Sequence, residues 1–406
     1  MSHVVIVGAS VAGGKLALNL RSQGFTGDIT LVDAEDDPFY DKPPLSKEYL
    51  SGAFSAEDIA LGARGEFRRG KIVTCFGTAA ASLDPATKTL TLEDGRTMHY
   101  DVIVIATGAR ARLTPWASLE GVYVLRTRAD ADRLREAIVP EHHLAVIGAG
   151  FIGAEAAATA VKAGMRVTII EPLEAPMGRA MNAEVGEIFA DKHRREGVEF
   201  RFGVSVENVE PAGDRRRLLL TDGSSLEVDA VLLGIGAVPN TEWLESSGVL
   251  LQNGILCDAT LAAVGVPGVY AIGDVARFAN DHHPDTVRHE HWTSAADQAL
   301  IVARNIVHPD EPRAYEAVEY VWSDQYDWKI QIVGRTGSRD WKAVGDPADD
   351  RFAVVYGTEA ERISGVVVVN WPRALVDARR SVAAGVPAQE LIDRLSELLS
   401  PSEAAV

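Results

Sequence analysis

Residues 3–33 read HVVIVGASVAGGKLALNLRSQGFTGDITLVD and residues 143–171 read HLAVIGAGFIGAEAAATAVKAGMRVTIIE. Each stretch opens on an apolar run of strand length, breaks at a glycine-rich turn, passes through a small-residue helix and ends a second apolar run on an acid. Such a strand-turn-helix junction aims helix N-terminal N–H groups and the positive end of the helix dipole at a pyrophosphate. Glycine is needed where a side chain would block that approach. In the first copy Gly8 and Gly13 keep the outer positions, with Ser10 in the middle and Ala12 inside the turn. In the second, Gly148, Gly150 and Gly153 are all present, with Phe151 and Ile152 opening the helix. Asp33, with Glu35 close behind, and Glu171 stand near the spacing of roughly 20 residues at which an acid reaches a ribose. One such motif is a weak signal; two predict two bound nucleotides.

Composition bounds the remaining possibilities. A chain of 406 residues exceeds one core and implies two or three domains. No apolar run approaches the roughly 18 to 20 residues needed to span a bilayer, and the chain enters its first strand almost at once, so the sequence predicts a cytoplasmic protein without a membrane span. The formal net charge of −18 argues against nucleic acid as a partner. The two cysteines, Cys75 and Cys257, are far apart and in no CxxC arrangement, which excludes a zinc finger, an iron-sulfur cluster held by this chain and a redox disulfide of the CxxxxC type. His282, His283, His289 and His291, with Glu290 between, lack structural-zinc spacing, and no metal is expected.

Along the chain, YDKPPLSKEYLSG is an extended segment entering a helix near Ser46, with Pro43 and Pro44 holding the backbone. A strand at Ile72–Phe76, a hairpin from Thr89–Leu92 to Thr97–Tyr100 and a buried strand Val102–Ala106 follow. The second nucleotide unit leaves through Val231–Gly234. Val269–Ile272 is another buried strand, carrying Gly273 and Asp274 at its carboxyl end. From about Tyr320 the pattern alternates, with strands at Lys329–Val333, Phe352–Tyr356 and Ile363–Val369. A helix Pro387–Leu399 precedes SPSEAAV, read as a disordered tail.

ATG at Ala106, Thr107 and Gly108, GIGAVPN from Gly234, and AIGDVARF from Ala271 resemble the two-dinucleotide-domain flavoprotein reductases related to glutathione reductase. PPLSKEYL from Pro43 and WSDQY from Trp322 are similar, within them, to the ferredoxin reductases that serve bacterial haem monooxygenases and aromatic-ring dioxygenases. The resemblance covers nearly the whole chain. It implies an α/β fold: two Rossmann-like domains, for FAD and NAD, and a C-terminal α+β domain with an antiparallel sheet. Expected boundaries are 1–113 and 241–320 for the interrupted FAD domain, 114–240 for the NAD domain and 321–406 for the C-terminal domain.

The resemblance implies tightly bound, non-covalent FAD at the first turn and NADH as donor at the second. FAD contacts are expected from Gly8, Ser10, Ala12, Gly13, Asp33, Glu35, Lys42, Pro43, Lys47, Ala80, Ala106, Thr107, Gly108, Arg126, Gly273, Asp274, His291 and Trp292. NAD contacts are expected from Gly148, Gly150, Phe151, Ile152, Gly153, Glu155, Glu171, Arg179, Gly234, Ile235 and Gly236. Two positions depart from the family. Ala34 stands where some members carry an acid, leaving Asp33 or Glu35 for the adenosine ribose, and Lys42 stands where many have arginine.

A carboxylate at Glu171 accepts a hydrogen bond from a 2′-hydroxyl and repels a 2′-phosphate, and Arg179 is the nearest downstream arginine, so NADH is favoured over NADPH. Hydride transfer asks the protein for orientation and electrostatics. Lys47 is placed near flavin N5, paired with Glu155 as the family pattern suggests. Trp292 and Trp322 resemble the aromatic residues near the flavin, and either packing or electron relay accounts for them. The implied partner is an iron-sulfur ferredoxin taking one electron at a time, in a transient complex with a monomer or homodimer. Ferredoxins being acidic, docking calls for a local cluster among Arg277, Arg288, Arg304, Arg335, Arg339, Lys342, Arg373, Arg379 and Arg380. An NADH oxidase or monooxygenase-type flavoenzyme, and a redox sensor like the apoptosis-inducing flavoproteins, remain as alternatives on the same cofactor sites.

Overall fold

The computed structural model describes residues 2–62, 65–279, 286–316, 318–357 and 361–399. By contacts the chain groups into two units. The first comprises 1–42, 56–110 and 237–317; the second comprises 43–55, 111–236 and 318–406.

The first unit is built on a five-stranded parallel sheet in the order Val269–Ala271, Val102–Ile105, His3–Val7, Asp28–Val32, Val73–Cys75. Val4–Val7, Leu31 and Ile103–Ile105 are almost wholly buried, as apolar runs are when a parallel sheet is covered on both faces. The helices Val11–Ser22 and Trp292–Val307 pack against each other. Val7 pairs with Val32 on one side and Ile105 on the other, so chain order reverses at His3–Val7. Parallel α/β sheets bind ligands at the carboxyl ends of strands flanking such a reversal. The turn that begins at Gly8 lies there.

The second unit repeats the arrangement in the order Glu199–Phe202, Arg166–Glu171, His143–Ile147, Ala230–Leu233, Val122–Val124. It also holds an antiparallel meander, Val206–Ala212, Arg215–Leu220 and Ser225–Val228, in a stretch where the sequence predicts no strands. Its third sheet is antiparallel, in the order Tyr320–Gln325, Trp328–Gly334, Ile363–Val369, Arg351–Gly357, Trp341–Asp346. Val366 and Val368 enter the core formed with the helices Pro372–Ala384 and Ala388–Leu399. Val367 and Val369 enter the opposite core with Phe189 and Val185 of the helix Ala183–Arg195. The unbroken valine run is therefore a strand buried on both faces. His282, His283 and the tail 400–406 lie outside the described residues.

Candidate functional site

The two glycine turns share one construction. Gly8 has φ +103° and Gly148 has φ +96°, a region glycine enters without the Cβ penalty. A Cβ at Gly8 would stand 2.2 Å from the Ala106 carbonyl oxygen, and one at Gly148 would stand 2.5 Å from that of Gly234. Gly13 and Gly153 face the same limit inside their own turns, 1.8 Å from the Gly8 oxygen and 2.3 Å from the Gly148 oxygen. The middle position differs: among the described residues no atom lies within 4 Å of a Cβ built at Gly150. The outer glycines answer to the protein's own backbone, while the space beside Gly150 is open. Ser10, its counterpart, is the N-cap of Val11–Ser22, as Gly150 is of Phe151–Lys162.

Asp33 and Glu171 do the same second job. Asp33 accepts from the Ala9 N–H at 2.6 Å through one oxygen and from the Glu35 N–H at 2.8 Å through the other. Glu171 accepts from the Ala149 N–H at 2.7 Å and the Leu173 N–H at 3.0 Å. Each acid thus ties the tip of the second strand to its glycine turn, a role the sequence reading did not assign. Each carboxylate oxygen keeps a second acceptor position for a ribose hydroxyl. Burial pushes the Asp33 carboxyl above the usual carboxylate range, against the pull of the two N–H groups. Glu35 accepts from the Tyr40 hydroxyl at 2.9 Å and has Lys42 Nζ at 3.7 Å.

Other expected FAD residues of the first unit gather at strand ends. Thr107 Oγ1 donates to the Asn240 carbonyl and Asn240 Nδ2 to the Thr107 carbonyl, both at 2.9 Å, which holds the Ala106–Gly108 turn. Gly273 and Asp274 form a 3-10 turn after Val269–Ala271, and the Gly273 N–H donates to the buried Gln298 at 2.7 Å. Gly273 has φ +72°, and a Cβ there would stand 3.1 Å from that of Ala12. His291 is the N-cap of Trp292–Val307, and Lys15 Nζ lies 4.9 Å from the centre of the Trp292 ring. Ala80 opens a half-buried strand, Ala80–Asp84. Among the described residues no three His, Cys, Asp or Glu side chains group as metal ligands.

In the second unit the PPLSK segment converges on Glu155. The helix expected near Ser46 is a single 3-10 turn, Pro43–Ser46. The turn and the residues after it are anchored by three contacts: Thr159 Oγ1 donates to the Ser46 carbonyl at 2.7 Å, Arg135 to the Tyr49 carbonyl, and the Tyr49 hydroxyl to Asp132 at 2.8 Å. Lys47 Nζ meets Glu155 Oε2 at 3.1 Å, with both side chains about nine-tenths buried. The Ser46 hydroxyl donates to the same oxygen. Ser323 donates to Glu155 Oε1 at 2.7 Å. The expected pair therefore forms, with two serines that the sequence reading missed. Trp322 points along the other face of its strand, stacked on Tyr320. Arg126 stands ahead of the helix Arg128–Ala137, its N–H on Asp130. Exposed Arg179 lies over the Gly234–Gly236 turn: a Cβ at Gly236 would stand 3.3 Å from its guanidinium.

Two turns of this geometry, each with its acid, and a buried lysine-carboxylate pair define an oxidoreductase of the two-dinucleotide class. The chain belongs to the pyridine nucleotide-disulphide oxidoreductase family, whose profile matches residues 2–299, and a reductase C-terminal profile matches 320–399. FAD and NAD(P)H are the cofactors of that family. The chain is 36% identical over 387 residues to rhodocoxin reductase of Rhodococcus erythropolis, covering 95% of this chain and 90% of that one. It is 35% identical over 397 residues to the ferredoxin–NAD(+) reductase component of the p-cumate 2,3-dioxygenase system of Pseudomonas putida, covering 97% and 96%. The fold matches the covalent putidaredoxin reductase–putidaredoxin complex with a TM-score of 0.91 at 33% identity, over 100% of this chain and 99% of that one. Both cysteines are free, so a member of a family named for disulphides carries no redox disulphide of its own.

Proposed function

We propose that the protein is an NADH-dependent ferredoxin reductase: hydride passes from NADH to FAD, and single electrons leave to an iron-sulfur ferredoxin serving a haem monooxygenase or an aromatic-ring dioxygenase. One observation carries the reading. The chain holds two dinucleotide turns and no paired thiols, while its full-length relatives are reductases of ferredoxins. FAD, when bound, accepts a hydride and releases its electrons singly, which an iron-sulfur acceptor requires.

The chain's own residues do the holding. The Val11–Ser22 helix start and Gly8–Gly13 cradle the FAD pyrophosphate, non-covalently, with Asp33 or Glu35 on its ribose. The Phe151–Lys162 helix start and Gly148–Gly153 cradle that of NADH. Glu171 is already oriented by two backbone N–H groups, so its charge is fixed where a 2′-phosphate would sit, and it selects NADH. Lys47, held by Glu155, places a cation where negative charge develops on the reduced flavin. The FAD domain is assigned to 1–113 and 241–320, the NAD domain to 114–240 and the C-terminal domain to 321–406, in a cytoplasmic monomer or homodimer.

The test is stopped-flow reduction by NADH, then mixing with candidate ferredoxins. Reduction by NADH followed by single-electron transfer is expected, with NADPH slower at equal concentration. Equal rates with both nucleotides would remove the assignment to Glu171, and rapid flavin reoxidation by oxygen with no ferredoxin response would favour an oxidase.

A further inference from the structure

The WSDQY stretch does more than resemble a family. Its inward-facing residues are Ser323 and Gln325, fully buried at 0% and 2% exposure. They join Glu155 to His193 of the helix Ala183–Arg195, itself 1% exposed. Ser323 Oγ lies 2.7 Å from Glu155 Oε1, Gln325 Nε2 lies 3.1 Å from Ser323 Oγ, and Gln325 Oε1 lies 2.9 Å from His193 Nε2. The Tyr326 hydroxyl closes the line, 2.8 Å from His193 Nδ1.

Donor and acceptor roles in this line are forced. The Glu155 carboxylate only accepts, so Ser323 must spend its single hydrogen on Glu155 and accept from the Gln325 amide. The Gln325 carbonyl oxygen then needs a donor, which sets the His193 tautomer with its proton on Nε2 and Nδ1 accepting. Tyr326 fills that site as a donor, since burial pushes its phenol well above the ordinary value and keeps the hydrogen in place. Every hydrogen therefore points toward Glu155, and the other carboxylate oxygen receives Ser46 and Lys47. Charged Lys192 and Glu196 flank His193 in sequence and pair with each other at 3.1 Å; Lys192 also pairs with Asp327 at 2.5 Å, leaving the imidazole line neutral.

We propose that Ser323, Gln325, His193 and Tyr326 are positioning residues: a one-directional hydrogen-bond chain that fixes the Glu155 carboxylate and, through it, the Lys47 ammonium for hydride transfer. The proposal rests on the reading that the Lys47–Glu155 pair serves flavin reduction. It assigns the work of the WSDQY motif to its serine, glutamine and tyrosine, with His193 supplied by a helix some 130 residues upstream.

The experiment uses the FAD-loaded full chain in stopped flow with NADH, comparing wild type with Ser323→Ala, Ser323→Thr and Tyr326→Phe. A hydrogen bond to a charged group is lost in Ser323→Ala, so its limiting reduction rate should fall about tenfold. The NADH concentration giving half that rate should stay within about twofold, because neither Ser323 nor Tyr326 is among the expected nucleotide contacts. Ser323→Thr restores the hydroxyl and the rate, and Tyr326→Phe shows a smaller loss in the same direction. Chemically reduced Ser323→Ala should pass electrons to ferredoxin as fast as wild type. Should Ser323→Ala lose its FAD, Tyr326→Phe carries the test by the same rate. Wild-type reduction rates in both Ser323→Ala and Tyr326→Phe, or a Ser323→Thr as slow as the alanine variant, overturn the chain while leaving the reductase reading intact. A wild type that NADH does not reduce overturns the reductase reading, and the chain's role with it.

Discussion

At His193 a protonation equilibrium is tied to packing. Burial lowers its pKa from 6.5 to about 4, with Glu196 and the Gln325 hydrogen bond opposing the shift and Lys192 adding to it. As pH falls below 6.5 the unfolded chain takes up a proton that the folded chain refuses until about 4. The contribution of the neutral imidazole is therefore complete above 6.5 and is lost as pH falls toward 4, amounting to about 3 kcal/mol at most. Urea unfolding between about pH 4.5 and pH 7 should show stability rising with pH, and His193→Gln should flatten that slope. Lys47 makes a different prediction. Lys47→Ala should slow flavin reduction by about tenfold or more, a larger effect than its weakening of FAD binding. An unchanged reduction rate would remove Lys47 from the hydride step. Lys47 was legible from PPLSK, whereas the sequence marks Ser46 only as the place where a helix begins. Ser323, Gln325 and His193 were not legible, because a buried hydrogen-bond line joins side chains from segments more than a hundred residues apart.

At the scale of the element, the two glycine turns separate structure from ligand. Gly148→Ala forces a Cβ against the Gly234 carbonyl at positive φ, and should cost about 1–3 kcal/mol or prevent folding. Gly150→Ala meets no described atom and keeps an ordinary φ of −73°, so the fold should hold its thermal midpoint. Its NADH requirement should rise about tenfold, since the added methyl enters the pyrophosphate's space. Calorimetry paired with NADH titration distinguishes the two, and a Gly150→Ala variant with normal NADH affinity would show that the clear space is not the nucleotide's. These turns were plain in the sequence because strand, turn and helix are contiguous and their constraints local. Elsewhere the local signal failed. Trp341–Asp346 was missed because it is an edge strand with one partner and carries Gly345, so its pattern is short and interrupted. The helix Pro372–Ala384 was missed as well, since only Ala374, Ala378 and Ser381 are buried along it.

For the whole molecule, the formal net charge of −18 sets the terms of encounter with an acidic protein. Like-charged partners associate through a local basic surface or are held apart, and salt decides between the two. If a basic surface guides docking, ferredoxin reduction should slow several-fold between about 0.05 and 0.3 M salt, while flavin reduction by NADH changes little. A ferredoxin rate indifferent to salt would argue for apolar docking. The sequence by itself determined the two nucleotide folds, the sites of their turns, the absence of a CxxC or CxxxxC thiol motif and the valine-rich strand of the C-terminal sheet. Each of these is written in contiguous residues whose periodicity or glycine spacing has few physical solutions. Only the tertiary structure decided that Pro43–Ser55 groups with the second unit, that Asp33 and Glu171 brace the turns, and that Glu155 is gripped by three side chains, Ser46, Lys47 and Ser323. Those outcomes depend on which side chains meet in space. No local pattern records such a meeting, because each partner alone satisfies its own element equally well without the other.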